Sequence, residues 1–338
     1  CSKEAVKLAQ RPQNLPEVKK LFAPDSYFID TTYAAGLYEC YDPKHPLTLW
    51  DDMKYKCDIS DYARSIFGNF GSECGREWAI PHSDFFEGLT GVSGRYYHGL
   101  NLDAMGGIVV PLFEIVYRDC IAMYGKYGYD YSSAAEYVLN HISIGRTLNY
   151  HSTPAHLYWK NAPTDEPAFP EPGQPDASCF TRGHNGWTQG MCVVDRFVKN
   201  TYEVMSPLNE ITSKMQLADH KFLNSDRNIV LTVFRGDAQE VRVIVNKSKG
   251  NYALTSEQGG EVVLPPYGFV VECPTFAAFH ALSWNGINYE NPVLFTLRSL
   301  DGAPVSSSSK IRVFHGFGDA RIRVKDKVHE VERESLIE

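Results

Sequence analysis

A change of pattern near residue 209 constrains this chain more than any other feature. Before it, apolar runs of strand length alternate with stretches of helical periodicity. After it, only short alternating segments remain, separated by Gly, Asn, Asp and Pro. Ile229-Val230-Leu231-Thr232-Val233-Phe234, Val241-Arg242-Val243-Ile244-Val245, Val262-Val263-Leu264 and Gly268-Phe269-Val270-Val271 are examples. Such a series predicts an all-β module, most simply a sandwich. Alternating strand and helix predicts a parallel sheet. The expected fold class is therefore α/β followed by all-β, with domains at residues 1–208 and 209–338.

Within the first domain, residues 1–23 read as helix, with Leu15-Pro16-Glu17-Val18 opening a second short turn. Strands are expected at Ser26–Asp30, at Gly68–Gly75 leading into a loop, at Gly106–Glu114 and at Thr147–His151. Helices are expected over 51–67, 133–144 and 191–208, and a Pro-rich loop over 162–178. In the helix over 51–67, Tyr55, Ile59, Tyr62, Ala63, Ile66 and Phe67 share one face. About four strands are half of an eight-fold barrel, so the domain is expected to be the C-terminal half of a (β/α)8 TIM-type barrel. The chain opens on Cys1, which a lipid anchor would modify in a bacterial lipoprotein. Yet Cys1-Ser2-Lys3-Glu4-Ala5-Val6 runs straight into helical sequence without a polar linker, which favours a fragment of a longer chain.

With 338 residues, 43% of them hydrophobic, the chain can bury sizeable cores. Its net charge of −8 and the lack of a Lys/Arg block argue against nucleic acid as a partner. No apolar run is long enough for a membrane span. The eight cysteines show no CxxC pair and no regular spacing, so buried free thiols are expected rather than a zinc site or disulfide framework. The compartment stays open; a leader missing from a fragment would favour the extracellular space or periplasm. No phosphate loop, Ser/His/Asp order or metal-ligand spacing stands out, so no cofactor and no metal are expected.

Two carboxylates stand at expected strand ends. Asp30 closes Ser26-Tyr27-Phe28-Ile29 and precedes Thr31-Thr32; Glu73 follows Gly71-Ser72, 43 residues later, one β/α unit further on. In parallel barrels the C-terminal strand ends point into the active site. Two carboxylates facing across a pocket are the minimum apparatus for glycoside hydrolysis. The bland alternatives are a turn-capping Asp30 and a surface ion pair of Glu73 with Arg76. The segments after both are rich in residue types that stack on pyranose faces or bond hydroxyls. Tyr38, Asp42 and Trp50 follow Asp30; Arg76, Trp78, His82, Asp84, Phe85, Phe86 and Glu87 follow Glu73. Tyr97, His98 and Tyr150 are further candidates for the same pocket, with Glu114 and Trp187 as weaker ones. The hydroxyls of Thr31 and Thr32 are suited to donate to an ionised Asp30, the nucleophile. Glu77 and Trp78 near Glu73 suit a group that must hold a proton, the acid/base.

The segments Ser26–Thr32, Leu37–Pro46 and Phe70–Trp78 resemble the catalytic half of a bacterial glycoside hydrolase. They are similar to a group distantly related to the endo-α-N-acetylgalactosaminidases and, more remotely, to retaining α-galactosidases. In the endo-α-N-acetylgalactosaminidase pattern an Asp ends the fourth barrel strand as nucleophile and a Glu ends the fifth as acid/base. Asp30 and Glu73 match by type and order. Asn224–Val271, with Leu264-Pro265-Pro266-Tyr267-Gly268-Phe269, resembles the β-sandwich that follows such barrels. The resemblance implies a retaining hydrolase acting on an α-linked sugar of an oligosaccharide or glycan. The rival from another class is a carbohydrate-binding or structural module that keeps the fold without catalysis.

Overall fold

The computed structural model describes residues 1–89, 110–125, 134–149, 180, 182–191 and 193–338. It divides into two compact units, Cys1–Thr90 with Asp119–Lys126, and Gly91–Arg118 with Tyr127–Glu338.

The first unit holds a four-stranded parallel sheet whose spatial order follows the sequence: β1 (Ser26–Ile29), β2 (Asn69–Glu73), β3 (Phe85–Leu89) and β4 (Ala122–Gly125). Helices α1 (Ser2–Ala9), α2 (Leu15–Phe22) and α3 (Leu49–Phe67) accompany it. The strands at Ser26 and Asn69 lie where the sequence puts them; the other two do not. Phe85–Glu87, read as part of a loop, begins β3. The chain passes from β2 to β3 through a six-residue 3-10 helix, Glu77–His82, too short to show a helical period. The strand expected at 106–114 is overturned from Leu112 onward, where helix α4 (Leu112–Tyr117) begins; residues 106–109 lie outside the described residues. Of the strand expected at 147–151, Leu148 and Asn149 are irregular and residues 150–151 lie outside the described residues, as does the Pro-rich stretch 162–178.

Helix α3 starts two residues before its expected position because Thr48 and Asp51 form a reciprocal capping box. It ends at Gly68, whose φ of 99° only glycine adopts without strain. Its buried stripe is Asp52, Lys56, Ser60, Ala63 and Phe67, not the aromatic face expected; Tyr55, Ile59, Tyr62 and Ile66 are half-buried. Phe67 stacks on Tyr27 of β1 at 4.3 Å, so this end of the helix covers the sheet. At the other end the stripe is polar because it carries hydrogen bonds.

Strand alternation sorts the sheet into two faces. Tyr27, Phe70, Phe86 and Met123 face the helices, and Phe70, Phe86 and Met123 are buried. Phe28, Gly71, Phe85 and Tyr124 line the other face. Phe28 and Phe85 stack at 6.4 Å although a whole strand separates them. They meet because Gly71 lies between: a Cβ there would come within 2.3 Å of the Phe85 ring.

The second unit is built on one eight-stranded antiparallel sheet of β5 (Gln216–Phe222), β6 (Ile229–Arg235), β7 (Glu240–Asn246), β10 (Phe269–Cys273), β11 (Phe276–Trp284), β12 (Ile287–Ser299), β13 (Ile311–Phe317) and β16 (Glu334–Ile337). Two hairpins, β8 (Tyr252–Ser256) with β9 (Gly260–Leu264) and β14 (Arg321–Val324) with β15 (Lys327–Glu330), supply the second layer of the sandwich. Val262, Leu264, Ile322 and Val324 of the hairpins pack with Ile244, Val270, Phe279 and Phe295 of the sheet. The opposite face, with Val243, Val245, Phe269 and Val271, packs against helices α5 (Ala134–Ile144) and α6 (Val193–Thr212) through Val138, Ile142, Val204 and Leu208. The boundary expected at residue 209 thus falls inside a helix that completes the core of the β-sheet. The strand-only region starts at Gln216. Six described cysteines are free; of these Cys57 and Cys273 are buried, whereas Cys1 and Cys120 are exposed. Among the described residues no helix is long and apolar enough to cross a membrane.

Gly71→Ala should destabilise the protein by about 1–3 kcal/mol, because the methyl group displaces the Phe85 ring. Urea titration measures this, and adding Phe85→Leu should restore part of the loss. Two histidines in the second unit give a pH signature. Burial holds His220 down to about 4, helped by nearby Lys247, and His280 down to about 3, helped by Arg182. The unfolded chain binds these protons near its ordinary histidine pKa of about 6.5, before the folded chain does. Stability should therefore fall as pH drops below about 6.5 and keep falling toward about 4. A denaturation midpoint that stays flat between about pH 7 and about pH 5 would contradict this.

Candidate active site

All strands of the parallel sheet run the same way, so their C-terminal ends share one edge. The ladder pairs Phe28 with Gly71 and Ile29 with Ser72; Asp30 is the first residue beyond β1, and Glu73 is the last residue of β2. Glu73 in turn pairs with Glu87 of β3. Asp30, Glu73 and Glu87, the last read in sequence as part of a loop, thus all lie toward the C-terminal edge of the sheet, and Glu73 and Glu87 are register partners. The aromatic row Phe28, Phe85 and Tyr124 lies one step below them; Phe85 meets Tyr124 edge-on at 6.4 Å. Face and edge thus carry two layers, apolar beneath and acidic above.

Backbone conformation repeats across the acidic row. The residue after each carboxylate has positive φ: Thr31 at 59°, Cys74 at 61° and Gly88 at 72°. Glycine enters this region freely, but β-branched Thr31 does so at a cost of order 1–3 kcal/mol. The chain leaves the pleat immediately after Asp30 and Glu73, whereas β3 runs on past Glu87 to Leu89. At β3 the departure is a bulge, where the register with β4 shifts between Phe86 and Leu89. Cys74 is held in place by its N–H, which donates to the Glu87 carbonyl at 2.7 Å.

Asp30 is exposed, and its Oδ1 accepts from the Thr31 backbone N–H at 3.0 Å. The expected hydroxyl donation from Thr32 does not occur, since its Oγ1 donates to the Ile29 carbonyl. Glu77, expected to neighbour Glu73, is the exposed first residue of the 3-10 helix.

The segment after β1 is fastened from two sides. Arg76 donates from Nε to the Tyr33 carbonyl at 2.9 Å and from Nη2 to the Ala34 carbonyl at 3.5 Å. Lys56, 7% exposed, donates to the Gly36 carbonyl at 2.8 Å and the Ala35 carbonyl at 3.3 Å. The Lys56 ammonium is 3.4 Å from the Asp52 carboxylate, whose Oδ2 also accepts from Tyr38 N–H at 3.1 Å. Tyr33 is fully buried, its hydroxyl bonded to Ser60 and Ser83, and burial pushes it up to about 12. The polar stripe of α3 is accordingly the support of the loop beside Asp30.

Of the remaining residues expected at the site, three follow β1 or open α3. Tyr38 is exposed with the Lys56 ammonium 5.3 Å from its ring, Asp42 caps Lys44 N–H, and Trp50 is exposed at the start of α3. Arg76 is engaged as described. Trp78 packs edge-on against Tyr33 at 5.5 Å, in the aromatic cluster that includes Phe70 and Phe86 on the helix side. Two expectations are displaced. The 3-10 helix carries the chain back to the N-terminal edge of the sheet, taking His82 and Asp84 with it. His82 bonds Asp61, while Asp84 pairs with Arg64 and accepts from Phe70 N–H, which ties β2 to the start of β3. Tyr97, His98 and Tyr150 lie outside the described residues. Glu114 is not at a strand end: it is buried in α4 and bonded to Arg146. Trp187 belongs to the second unit, its ring 4.2 Å from the Lys199 ammonium. Among the described residues no three His, Cys, Asp or Glu side chains converge as a metal site.

No family model matches the chain, and no curated protein sequence does. Solved structures similar to it include ligand-free α-N-acetylgalactosaminidase NagBb from Bifidobacterium bifidum, at 16% identity and TM-score 0.49. That match covers 73% of this chain and 33% of the other, so the chain spans about a third of its length. A cyclic α-maltosyl-(1→6)-maltose hydrolase from Arthrobacter globiformis is similar at 11% identity and TM-score 0.36, over 74% of this chain and 56% of the other. Eubacterium rectale Amy13B is similar at 12% identity and TM-score 0.36, over 78% and 63%.

Lys56→Met should cost about 3 kcal/mol in a urea titration, because it leaves the Asp52 carboxylate buried without its cation. Exchanging both partners together, Lys56→Met with Asp52→Leu, should recover part of the loss. A Lys56→Met protein as stable as the parent would remove Lys56 from its assigned support of the loop.

Proposed function

We propose that this chain carries the catalytic pair of a retaining glycoside hydrolase acting on an α-linked sugar, with Asp30 as nucleophile and Glu73 as acid/base. One observation supports the reading: Asp30 directly follows β1 and Glu73 ends β2, two neighbouring strands of a parallel sheet. Neighbouring strands lie about 4.8 Å apart. Retaining catalysis uses carboxyl groups about 5–5.5 Å apart, whereas inversion separates them by about 6.5–9.5 Å to admit a water. Side-by-side strand positions suit the closer arrangement. The α-linkage and the allocation of roles rest on the sequence resemblance.

In the reaction, an Asp30 oxygen attacks the anomeric carbon while Glu73 protonates the departing glycosidic oxygen. The C–O bond to the leaving group breaks as the bond to Asp30 forms. In the second half, Glu73, now ionised, takes a proton from water, and that water's oxygen displaces Asp30 from the sugar. Configuration is inverted twice and hence retained. Asp30 keeps its donor from Thr31 N–H throughout, so the turn that strains Thr31 also positions the nucleophile.

In a chain that shows activity, Asp30→Ala should abolish turnover on every glycoside. Glu73→Ala should retain turnover of aryl glycosides whose leaving group needs no proton, and azide should rescue it with a retained glycosyl azide as product. Rescue at Asp30 with a retained glycosyl azide, and at Glu73 only with an inverted one, would show the roles reversed. Sugar binding with no turnover of any nitrophenyl α- or β-glycoside would favour the non-catalytic carbohydrate-binding module.

A further inference from the structure

The second unit contains a cavity of about 440 Å³ that the catalytic reading does not use. This lies within the range of small-molecule sites, roughly 300–1,000 Å³. It opens on the hairpin-bearing face of the large sheet, where the two hairpins leave part of the sheet uncovered. Arg242, Glu272 and Leu297 of the sheet contribute to its lining. The β8–β9 turn brings Glu257 and Gln258; the end of β14 and the turn after it bring Arg323 and Lys325. Asn285, in the β11–β12 turn, braces both: its N–H donates to the Gly259 carbonyl at 2.6 Å and its Nδ2 to the Arg323 carbonyl at 3.3 Å.

The polar groups differ between the two sides. On the β8–β9 side are acceptors. Glu272 is 5% exposed and accepts from Gln258 N–H at 2.9 Å and from Ser256 Oγ, while Glu257 pairs with Arg242 at 2.7 Å. On the β14–β15 side are donors. Arg323 and Lys325 have no carboxylate within ion-pair distance among the described residues, and the buried Arg323 Nε has no hydrogen-bond partner. Lys325 spends one donor on the Ser308 carbonyl at 2.7 Å. Between them Pro274, Pro304, Val305 and Trp284 give apolar surface.

We infer that this cavity is a binding site for a neutral sugar unit, separate from the acidic edge of the parallel sheet. Each sugar hydroxyl both donates and accepts, which matches carboxylates on one side and unpaired cationic donors on the other. The C–H faces of the ring match the proline and valine surface. An inorganic anion meets Glu272 and Glu257, and an organic cation meets Arg323 and Lys325; a neutral polyhydroxylated ring meets neither repulsion. The inference does not depend on the catalytic assignment.

The test is calorimetric titration of the full chain bearing Asp30→Asn and Glu73→Gln, which removes the acidic edge as a competing site. Glucose, galactose and N-acetylglucosamine are the neutral probes; glucuronate and sulfate are the anionic ones. A neutral sugar should bind saturably in this background. Arg323→Met should weaken it about tenfold or more. Ser306→Trp, at an exposed position on the rim, should block it without touching the buried polar groups. Absence of neutral-sugar binding, or binding unchanged by both substitutions, would overturn the inference. So would binding of sulfate in place of the sugars, which would define an anion site.

Discussion

The register of β1 against β2 determines which residues share each face of the parallel sheet. Side chains alternate with a period of two, so a slip by one residue would set Phe28 of β1 beside a helix-facing residue of β2 instead of Gly71. Packing on both faces opposes that slip. On one side Tyr27 stacks on Phe67; on the other Phe28 reaches Phe85 across Gly71. The contact exists only because β2 places a residue without a side chain between two aromatic rings.

A second constraint comes from α3. A helix covering a sheet ordinarily buries apolar residues along its whole length. Here the half nearest the acidic edge buries Asp52, Lys56 and Ser60 instead. Each is bonded: Lys56 to the carbonyls of Ala35 and Gly36, Asp52 to Tyr38 N–H and Ser2, Ser60 to Tyr33. The loop after Asp30 has little regular structure of its own, and its backbone groups find partners in the helix that follows it. Arg76 adds a third anchor from the end of β2. Residues that read in sequence as ligands for a sugar are in part ligands for this loop.

Strong local patterns explain which parts of the architecture were legible. β1, β2, α3, α5, α6 and the long series of strands after Gln216 each carry their own apolar periodicity and boundary signals. The two carboxylates were legible because both end short apolar strands. β3 was missed because Arg76–Glu87 is dense in aromatic and charged residues and contains no helical repeat, so strand and preceding turn merge in the sequence. Glu87 was hidden by the same error, although Phe-Phe-Glu-Gly-Leu does alternate. The placement of His82 and Asp84 was not legible, since it follows from a 3-10 helix returning the chain to the far edge. The boundary near residue 209 marked a change of secondary structure. Which core a helix joins depends on long-range packing, here of Leu208 and Val204 on the sheet.

The left-handed residues that follow the three acids carry an implication for how such a chain diverges. Thr31 and Cys74 each turn the backbone out of the pleat at once, whereas Gly88 bulges a strand that runs on to Leu89. Whatever is inserted, deleted or exchanged beyond the first two corners lies outside the strands that end there. Loop length can therefore change after Thr31 and Cys74 without altering the strand register, which makes those two left-handed corners the seam between sheet and loop.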